Sequence, residues 1–312
     1  MDKISIIVPC FNEEESIDIF YKETMKTIKQ IKNIKYEFIF VNDGSRDNTL
    51  NILRNLGKKD NCVRYISFSR NFGKEAAMLA GFEAATGDYV TTIDADLQQP
   101  PELLIKMYDM IKKGDIDCVA TRSSSRKSYS KIRKFFTKNF YKIINRISDV
   151  EVVDGAKDYR LMKRKVVDAI IKMKEYNRFT KGIYGYVGFK TEWIEFDDRE
   201  RVAGNSKWSF FSLFKYAMEG IIAFSTKPLI YATFIGILFL FISFVLLIVE
   251  IIKMIIYTKF IFDIIGILFI VFLVSGIQIF FIGIIGIYLS KLYLEIKNRP
   301  IYIVSETEKD NK

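Results

Sequence analysis

The sequence predicts an α/β protein in three parts: a doubly wound sheet domain, then interfacial amphipathic helices, then a two-helix transmembrane hairpin. Three observations lead there. Short apolar runs alternate with helix-patterned stretches over residues 4–121. A basic segment with an aromatic apolar face follows. Near the C-terminus, residues 228–249 and 264–290 form runs of 22 and 27 residues without a charge.

Within the first part, residues 4–8 read as a buried strand and 14–31 as a helix. Residues 36–41 read as a strand that ends at Asn42-Asp43-Gly44-Ser45, and 48–58 as a helix. A third strand at 63–67 leads to an Ala-rich helix at 74–85, stopped by Gly87. A fourth strand at 89–93 ends at Asp94, and a helix at 101–113 has Pro at its start. A fifth strand covers 118–121. Strands alternating with helices imply a parallel sheet covered on both faces. Ligands then gather at the carboxyl ends of the strands, where Asn12, Asp43, Ser69 and Asp94 directly follow apolar runs.

The basic segment holds nine Lys or Arg and no Asp or Glu between Arg122 and Arg146. Its apolar residues, among them Phe136, Phe140 and Ile144, recur at helical spacing. That pattern suits a helix lying in a membrane interface against anionic headgroups; a helix packed on the domain with a solvated basic face is the other reading. Residues 209–224 repeat the pattern just before the first charge-free run. Each of those runs exceeds the ~18–20 apolar residues that span a bilayer. Lys and Arg counts favour the flanks (Lys207, Lys215, Lys227, Lys291, Lys297, Arg299) over the connecting loop (Lys253, Lys259). The positive-inside rule therefore predicts a multi-pass protein of the cell membrane, with the large domain and both termini cytoplasmic. The expected division is 1–208 for the catalytic domain, including the basic amphipathic segment 122–147. A juxtamembrane helix at 209–227 follows, then membrane helices at 228–250 and 264–290. A polar tail at 291–312 is expected to fray at its end.

The 312-residue chain carries a net charge of +10, which points to an anionic partner. It has three well-separated cysteines and no histidine. A disulfide framework is not expected, His-based catalysis is excluded, and any metal must sit on oxygen ligands, which favours Mg²⁺ or Mn²⁺. The opening residues lack the pattern of a signal peptide. No nucleic-acid partner is expected, because membrane spans follow the basic segment.

Three sites carry chemistry by residue type and spacing. In Asp94-Ala95-Asp96, two carboxylates at i and i+2 after a strand can face one divalent cation, with Gln98 as a further oxygen ligand. Asp43 can accept hydrogen bonds from a base or ribose, or close an ordinary Asx turn. Arg70 and Lys74 stand where a helix begins, which makes a phosphate site.

Taken together these motifs resemble glycosyltransferase family 2, with its GT-A fold. Pro9-Cys10-Phe11-Asn12-Glu13-Glu14 is similar to the family's P-x-Y-N-E, and Asn42-Asp43-Gly44-Ser45-Arg46-Asp47-Asn48-Thr49 to N-D-G-S-x-D-x-T. Ser69 to Lys74 and Asp94 to Glu102 follow in family order. Later, Asp158-Tyr159-Arg160-Leu161-Met162 resembles D-F-R-L-M. Arg201-Val202-Ala203-Gly204-Asn205-Ser206-Lys207-Trp208 resembles R-x-x-G-x-S-K-[YW]. Both belong to the dolichyl- and undecaprenyl-phosphate sugar transferases.

The resemblance implies that Pro9, Phe11, Glu13 and Asp43 hold the nucleoside of a UDP-sugar. Arg70 and Lys74 would meet its phosphates, and Asp94 and Asp96, with Gln98, the metal diphosphate. Asp158 matches the family's catalytic Asp, with Asp96 as its catalytic companion. Arg122, Arg126, Arg201 and Lys207 are candidates for the phosphate of a polyprenyl phosphate acceptor. That phosphate is already anionic near neutral pH, so attack on the sugar needs no strong base, and attack opposite the diphosphate inverts the anomeric centre. Glucose is the first candidate sugar, before N-acetylglucosamine or galactose, with cell-envelope glycan modification as the purpose. The resemblance also implies a homo-oligomer, a tetramer held by the membrane helices being one form. Gly276, Gly283 and Gly286 would permit close helix approach. A processive polysaccharide synthase and a non-enzymatic membrane scaffold are the alternatives. The sequence has no Q-x-x-R-W motif for the first, and it retains Asp43, Asp94, Asp96 and Asp158 against the second.

Overall fold

The computed structural model describes residues 1–124, 145, 153, 155–199, 227–257 and 264–310. The two amphipathic stretches expected around 122–147 and 209–227 fall almost wholly outside the described residues, as do Arg126, Arg201 and Lys207.

The first nine elements follow the predicted alternation: β1 (Asp2–Cys10), α1 (Ile17–Ile28), β2 (Ile34–Asn42), α2 (Thr49–Lys59), β3 (Val63–Phe68), α3 (Lys74–Ala84), β4 (Tyr89–Thr92), α4 (Leu103–Lys113) and β5 (Cys118–Ser123). Side-chain alternation along the strands builds two cores. Ile4, Ile6, Val8, Phe38 and Phe40 face one side of the sheet with Phe20, Leu53 and Met107 from the helices. Ile7, Ile39, Val41 and Val90 face the other side with Ala77, Ala80 and Phe82 of α3. Small residues let α3 lie close on the sheet. A Cβ at Gly81 would stand 2.2 Å from a methyl of Ile7, so any side chain there pushes helix and strand apart.

Beyond β5 the chain departs from the expected all-parallel sheet. It continues as β6 (Ala156–Lys163), α5 (Arg164–Lys172), α6 (Thr180–Tyr186) and β7 (Thr191–Phe196). It ends as α7 (Lys227–Tyr257), α8 (Ile264–Ile296) and β8 (Val304–Thr307). The eight strands run in the order β7-β5-β6-β4-β1-β2-β3-β8. Strands β4, β1, β2 and β3 are parallel, but β6 inserts antiparallel between β4 and β5. The physical consequence is positional: the start of an antiparallel strand lies beside the end of its neighbour, so β6 carries Asp158 to the carboxyl end of β4.

The tail expected to fray is ordered over its described part, which ends at Asp310. β8 pairs antiparallel with the edge strand β3. Glu306 accepts from the guanidinium of Arg54 at 2.8 and 2.5 Å and from the Tyr65 hydroxyl at 2.7 Å. Glu308 pairs with Arg64 at 3.0 Å, and Tyr302 stacks on Phe68 with ring centroids 4.9 Å apart. Polar composition misled here, because the charges are partners for cations on α2 and β3 rather than solvated groups.

Helices α7 and α8 have 31 and 33 residues, which at ~1.5 Å per residue exceeds the ~30 Å hydrocarbon core. Among the described residues, Leu273–Ile296 is the stretch long and apolar enough to cross a membrane. The expected loop from Glu250 is shorter than predicted, since α7 runs on to Tyr257.

Candidate active site

The strand-end loops are stitched to one another by the residues of the sequence motifs. Asn12, at φ +53°, donates its N–H to the Ser45 hydroxyl at 2.9 Å and accepts the N–H of Arg46 at 2.9 Å. The N–H of Glu13 donates to the Thr49 hydroxyl at 2.9 Å, and the Glu13 carboxylate accepts from Ser16 at 2.8 Å. Pro9 and Phe11 flank this seam, each half-buried. Polar loops are held here by reciprocal side-chain to backbone bonds, the chemistry Asn, Asp and Ser favour over regular structure.

Asp43 ties the loop after β2 to the loop before α3. Its two oxygens accept the N–H groups of Phe72 at 2.6 Å and Gly73 at 2.9 Å. Gly44, at φ +63°, allows the approach, because a Cβ there would stand 2.3 Å from the Arg70 carbonyl carbon. Burial pushes the Asp43 carboxyl up from its ordinary value, against those two donors. The structure thus shows Asp43 shaping the loop that starts α3, a duty sequence reading did not assign. Arg70 lies on that loop, with its guanidinium 4.5 Å above the Phe72 ring.

Lys74, the first residue of α3, reaches the centre. Its Nζ lies 2.7 Å from one Asp94 oxygen and 2.9 Å from the other, and 2.9 Å from Asp158. Burial alone pulls this ammonium down, but Asp94 and Asp158 outweigh it and hold it above the ordinary lysine value. The converse holds at Asp158. Burial pushes the carboxyl up, and Lys74, then Lys181 and Arg160, pull it well below the usual carboxylate range. Asp158 is therefore anionic and a poor proton acceptor, which fits an orienting or electrostatic duty better than base work. Asp158 lies on β6 and pairs with Lys74.

Asp94 and Asp96 flank a backbone turn. Leu97 has φ +56°, unusual for a side chain of this kind. Asp96 accepts the N–H of Gln98 at 3.1 Å, and Gln99 donates to Asp94 at 3.4 Å. Among the described residues no three acidic or thiol side chains converge as a complete metal cage. Two observations nevertheless fit a divalent cation. The Lys74 ammonium already sits as a positive charge against Asp94, and the donor set is all oxygen. Two carboxylates with substrate phosphates completing the shell is the usual manner of Mg²⁺.

Of the four cations expected at the acceptor phosphate, Arg122 is described. It lies on β5 and is paired with Glu195 of β7, so its charge is already matched. Sequence reading missed Glu75, half-buried beside Lys74 and accepting from the Thr180 N–H at 3.0 Å and from the Thr180 hydroxyl. It also missed a function for Arg160, which is buried with its guanidinium 4.0 Å over Tyr184 and 5.1 Å over Trp193. Arg160 carried a signal, being inside the quoted D-Y-R-L-M motif. Glu75 carried none, since an acidic residue in a helix's first turn is ordinary.

A mixed sheet that gathers carboxylates from β4 and β6 around the N-terminus of α3 defines a GT-A-type sugar transferase. The chain belongs to glycosyl transferase family 2, whose sequence profile matches residues 5–171, and it is a glycosyltransferase. It is 39% identical over 307 residues to the prophage bactoprenol glucosyl transferase homolog of Escherichia coli (strain K12), covering 98% of this chain and 100% of that one. It is 40% identical over 302 residues to the bactoprenol glucosyl transferase of Shigella phage SfX, covering 97% and 98%. Among solved structures it is similar to glucosyl-3-phosphoglycerate synthase from Mycobacterium tuberculosis in complex with Mn²⁺ and uridine-diphosphate-glucose. That likeness has a TM-score of 0.46 and 15% identity, over 71% of this chain and 77% of that one.

Proposed function

We propose that this enzyme transfers one glucose from UDP-glucose to undecaprenyl phosphate at the cytoplasmic face of the membrane, with inversion at the anomeric carbon, for modification of a cell-envelope glycan. The observation that carries the reading is the joining of the catalytic sheet to a helix of membrane-spanning length. β8 follows α8 directly and pairs with β3 of the sheet whose strand ends hold Asp94 and Asp158. A centre fixed to the bilayer surface suits an acceptor that cannot leave the bilayer. The names of the near-full-length relatives supply the sugar and the carrier.

The same join supports two membrane crossings. The sheet contains strands from before α7 and from after α8, so the chain must return to the side it left. If α8 crosses the bilayer, α7 crosses it too. The basic flanks then favour a cytoplasmic catalytic domain. The open surfaces at Gly276, Gly283 and Gly286, where a Cβ would meet nothing within 4 Å, are compatible with the homo-oligomer implied by resemblance.

In this reading Asp94 and Asp96, with Gln98, would hold a divalent cation, which when bound supplies charge to the departing diphosphate. The chain's own residues do the remainder. Asp43 sets the loop that presents Arg70 and Lys74 to the donor phosphates. Pro9, Phe11 and Glu13 border the nucleoside. Lys74 stands between the donor side, Asp94, and the acceptor side, Asp158, and its charge would help keep Asp158 ionised. Asp158 stays ionised and orients the incoming phosphate's partners rather than taking a proton, since the acceptor oxygen already carries charge.

The test is radiolabel transfer in membranes with UDP-glucose, UDP-N-acetylglucosamine and UDP-galactose, undecaprenyl phosphate, and Mg²⁺ or Mn²⁺. We expect a single-sugar lipid from UDP-glucose, β-linked by NMR, reduced at least about 100-fold in Asp96→Ala. A polymeric product would favour a synthase. Undiminished product in Asp96→Ala would remove Asp96 from the centre.

A further inference from the structure

Beside the centre lies a cavity of about 810 Å³, bordered only in part by motif residues. Lys74 and Arg70 form one end of it. The stretch 175–179 and the last turns of α8 form the other. Three features there point to an anion. The Nε of Arg178 and the Nδ2 of Asn177 are both buried donors without a hydrogen-bond partner, and such groups are costly unless something fills them. The Arg178 side chain is 1% exposed. Its other nitrogens donate to the carbonyls of Met173 and Ile170 at the end of α5, which fixes the guanidinium in place. The orientation of Asn177 is forced as well. Lys291 of α8 donates to its Oδ1 at 2.9 Å, and an ammonium has no acceptor, so Nδ2 must face elsewhere.

The carboxylates in the same wall are mostly committed. Glu75 accepts from Thr180, and Glu295 accepts the N–H groups of Tyr176 and Asn177 at 2.9 and 3.4 Å. Glu175 lies 4.0 Å from the Arg178 guanidinium, and its Oε2 is buried without a hydrogen-bond partner, so an incoming anion would have to compete with this carboxylate for Arg178. Phe179, Leu292 and Ile301 add an apolar wall, and Lys291 lies within the stretch Leu273–Ile296 that is apolar enough to enter the bilayer. An anionic head with a hydrocarbon tail matches this combination better than a free phosphate, which has no use for the apolar wall.

We infer that this cavity is where the phosphate end of the prenyl acceptor enters, held by Asn177, Arg178 and Lys291 and delivered toward Lys74 and Asp158. The inference rests on the proposed acceptor class and gives that acceptor donors on the 177–178 stretch and α8, apart from Arg122, which in this structure faces Glu195. It also assigns work to the end of α8: Lys291 and Glu295 hold the 175–179 stretch and so build half of the cavity.

The test uses full-length protein in phosphatidylcholine nanodiscs, titrated with farnesyl phosphate and followed by phosphorus-31 line broadening. Farnesol, inorganic phosphate and phosphatidylglycerol serve as competitors. Mn²⁺–UDP is titrated into the same samples to report an intact donor site. Farnesyl phosphate should bind the wild type, and Asn177→Leu and Lys291→Gln should each weaken it about tenfold with UDP affinity unchanged. Neither farnesol nor inorganic phosphate should compete. Equal affinity in the wild type and both variants, or no binding to the wild type, overturns the assignment. Competition by inorganic phosphate at the same concentration makes it a simple anion site. Displacement by phosphatidylglycerol makes it a phospholipid site. If the binding pattern holds but no sugar reaches any polyprenyl phosphate, the proposed function fails while the cavity's ligand class stands.

Discussion

Lys74 places one positive charge between carboxylates from two strands, Asp94 after β4 and Asp158 on β6. Its removal has a signed consequence. Burial already pushes the Asp158 carboxyl up, and with the ammonium gone only Lys181 and Arg160 remain to hold it down, so the carboxyl moves up toward its ordinary value. If transfer requires ionised Asp158, activity in Lys74→Met is lost first on the acid side, so the acid limb of the pH–rate profile moves to higher pH. Transfer measured across pH 4.5 to 8.5 in wild type and variant checks this. An acid limb that stays in place would show that Asp158 does not depend on Lys74 for its charge. Lys74 was visible in the sequence as a cation at a helix start, and Asp158 as a motif residue. That they meet was not visible, because 83 intervening residues and the antiparallel insertion of β6 bring them together.

β8 has four residues and changes the reading of the whole C-terminus. An edge strand this short gains little from its ladder alone. Its hold comes from Arg54, Tyr65 and Arg64 meeting Glu306 and Glu308. Glu306→Ala should release the strap: limited proteolysis between residues 300 and 312 should speed up, and the melting temperature in detergent should fall. Arg54→Ala should give the same result, and the double variant little more than either one, with a coupling of about 1 kcal/mol for a partly exposed pair. Wild-type and variant tails cut at equal rates would mean the strap adds nothing. The predicted strands and helices up to β5 match to within a few residues because period and turn chemistry are local signals. β6 and β7 were not predicted as strands. Their runs are short and mixed with charge, and their partners lie far away in sequence.

Over the whole molecule, the sheet ties the chain's two ends to the same side of any membrane that α7 and α8 cross. Thr258→Cys, between the helices, and Asn311→Cys, after β8, should therefore differ in intact cells. An impermeant maleimide should label the first, and should label the second only after permeabilisation. Labelling of both from outside, or of neither, would break the two-crossing topology. The native cysteines give a low background, since Cys10 and Cys118 are buried and Cys62 is partly so.

The sequence by itself determined the α/β alternation, the strand-end positions of Asp43, Asp94 and Asp96, the two long apolar helices and the family. Each follows from local periodicity, or from residue types at fixed spacing, which a chain carries wherever it folds. The tertiary structure decided the antiparallel place of β6, the return of the tail as β8, the commitment of Arg122 to Glu195, and the cavity that Asn177, Arg178 and Lys291 share with Lys74. Those depend on pairings between segments separated by tens to hundreds of residues. Such pairings are set by which buried faces and unmatched charges find each other in the folded chain, and no single stretch of the sequence records them.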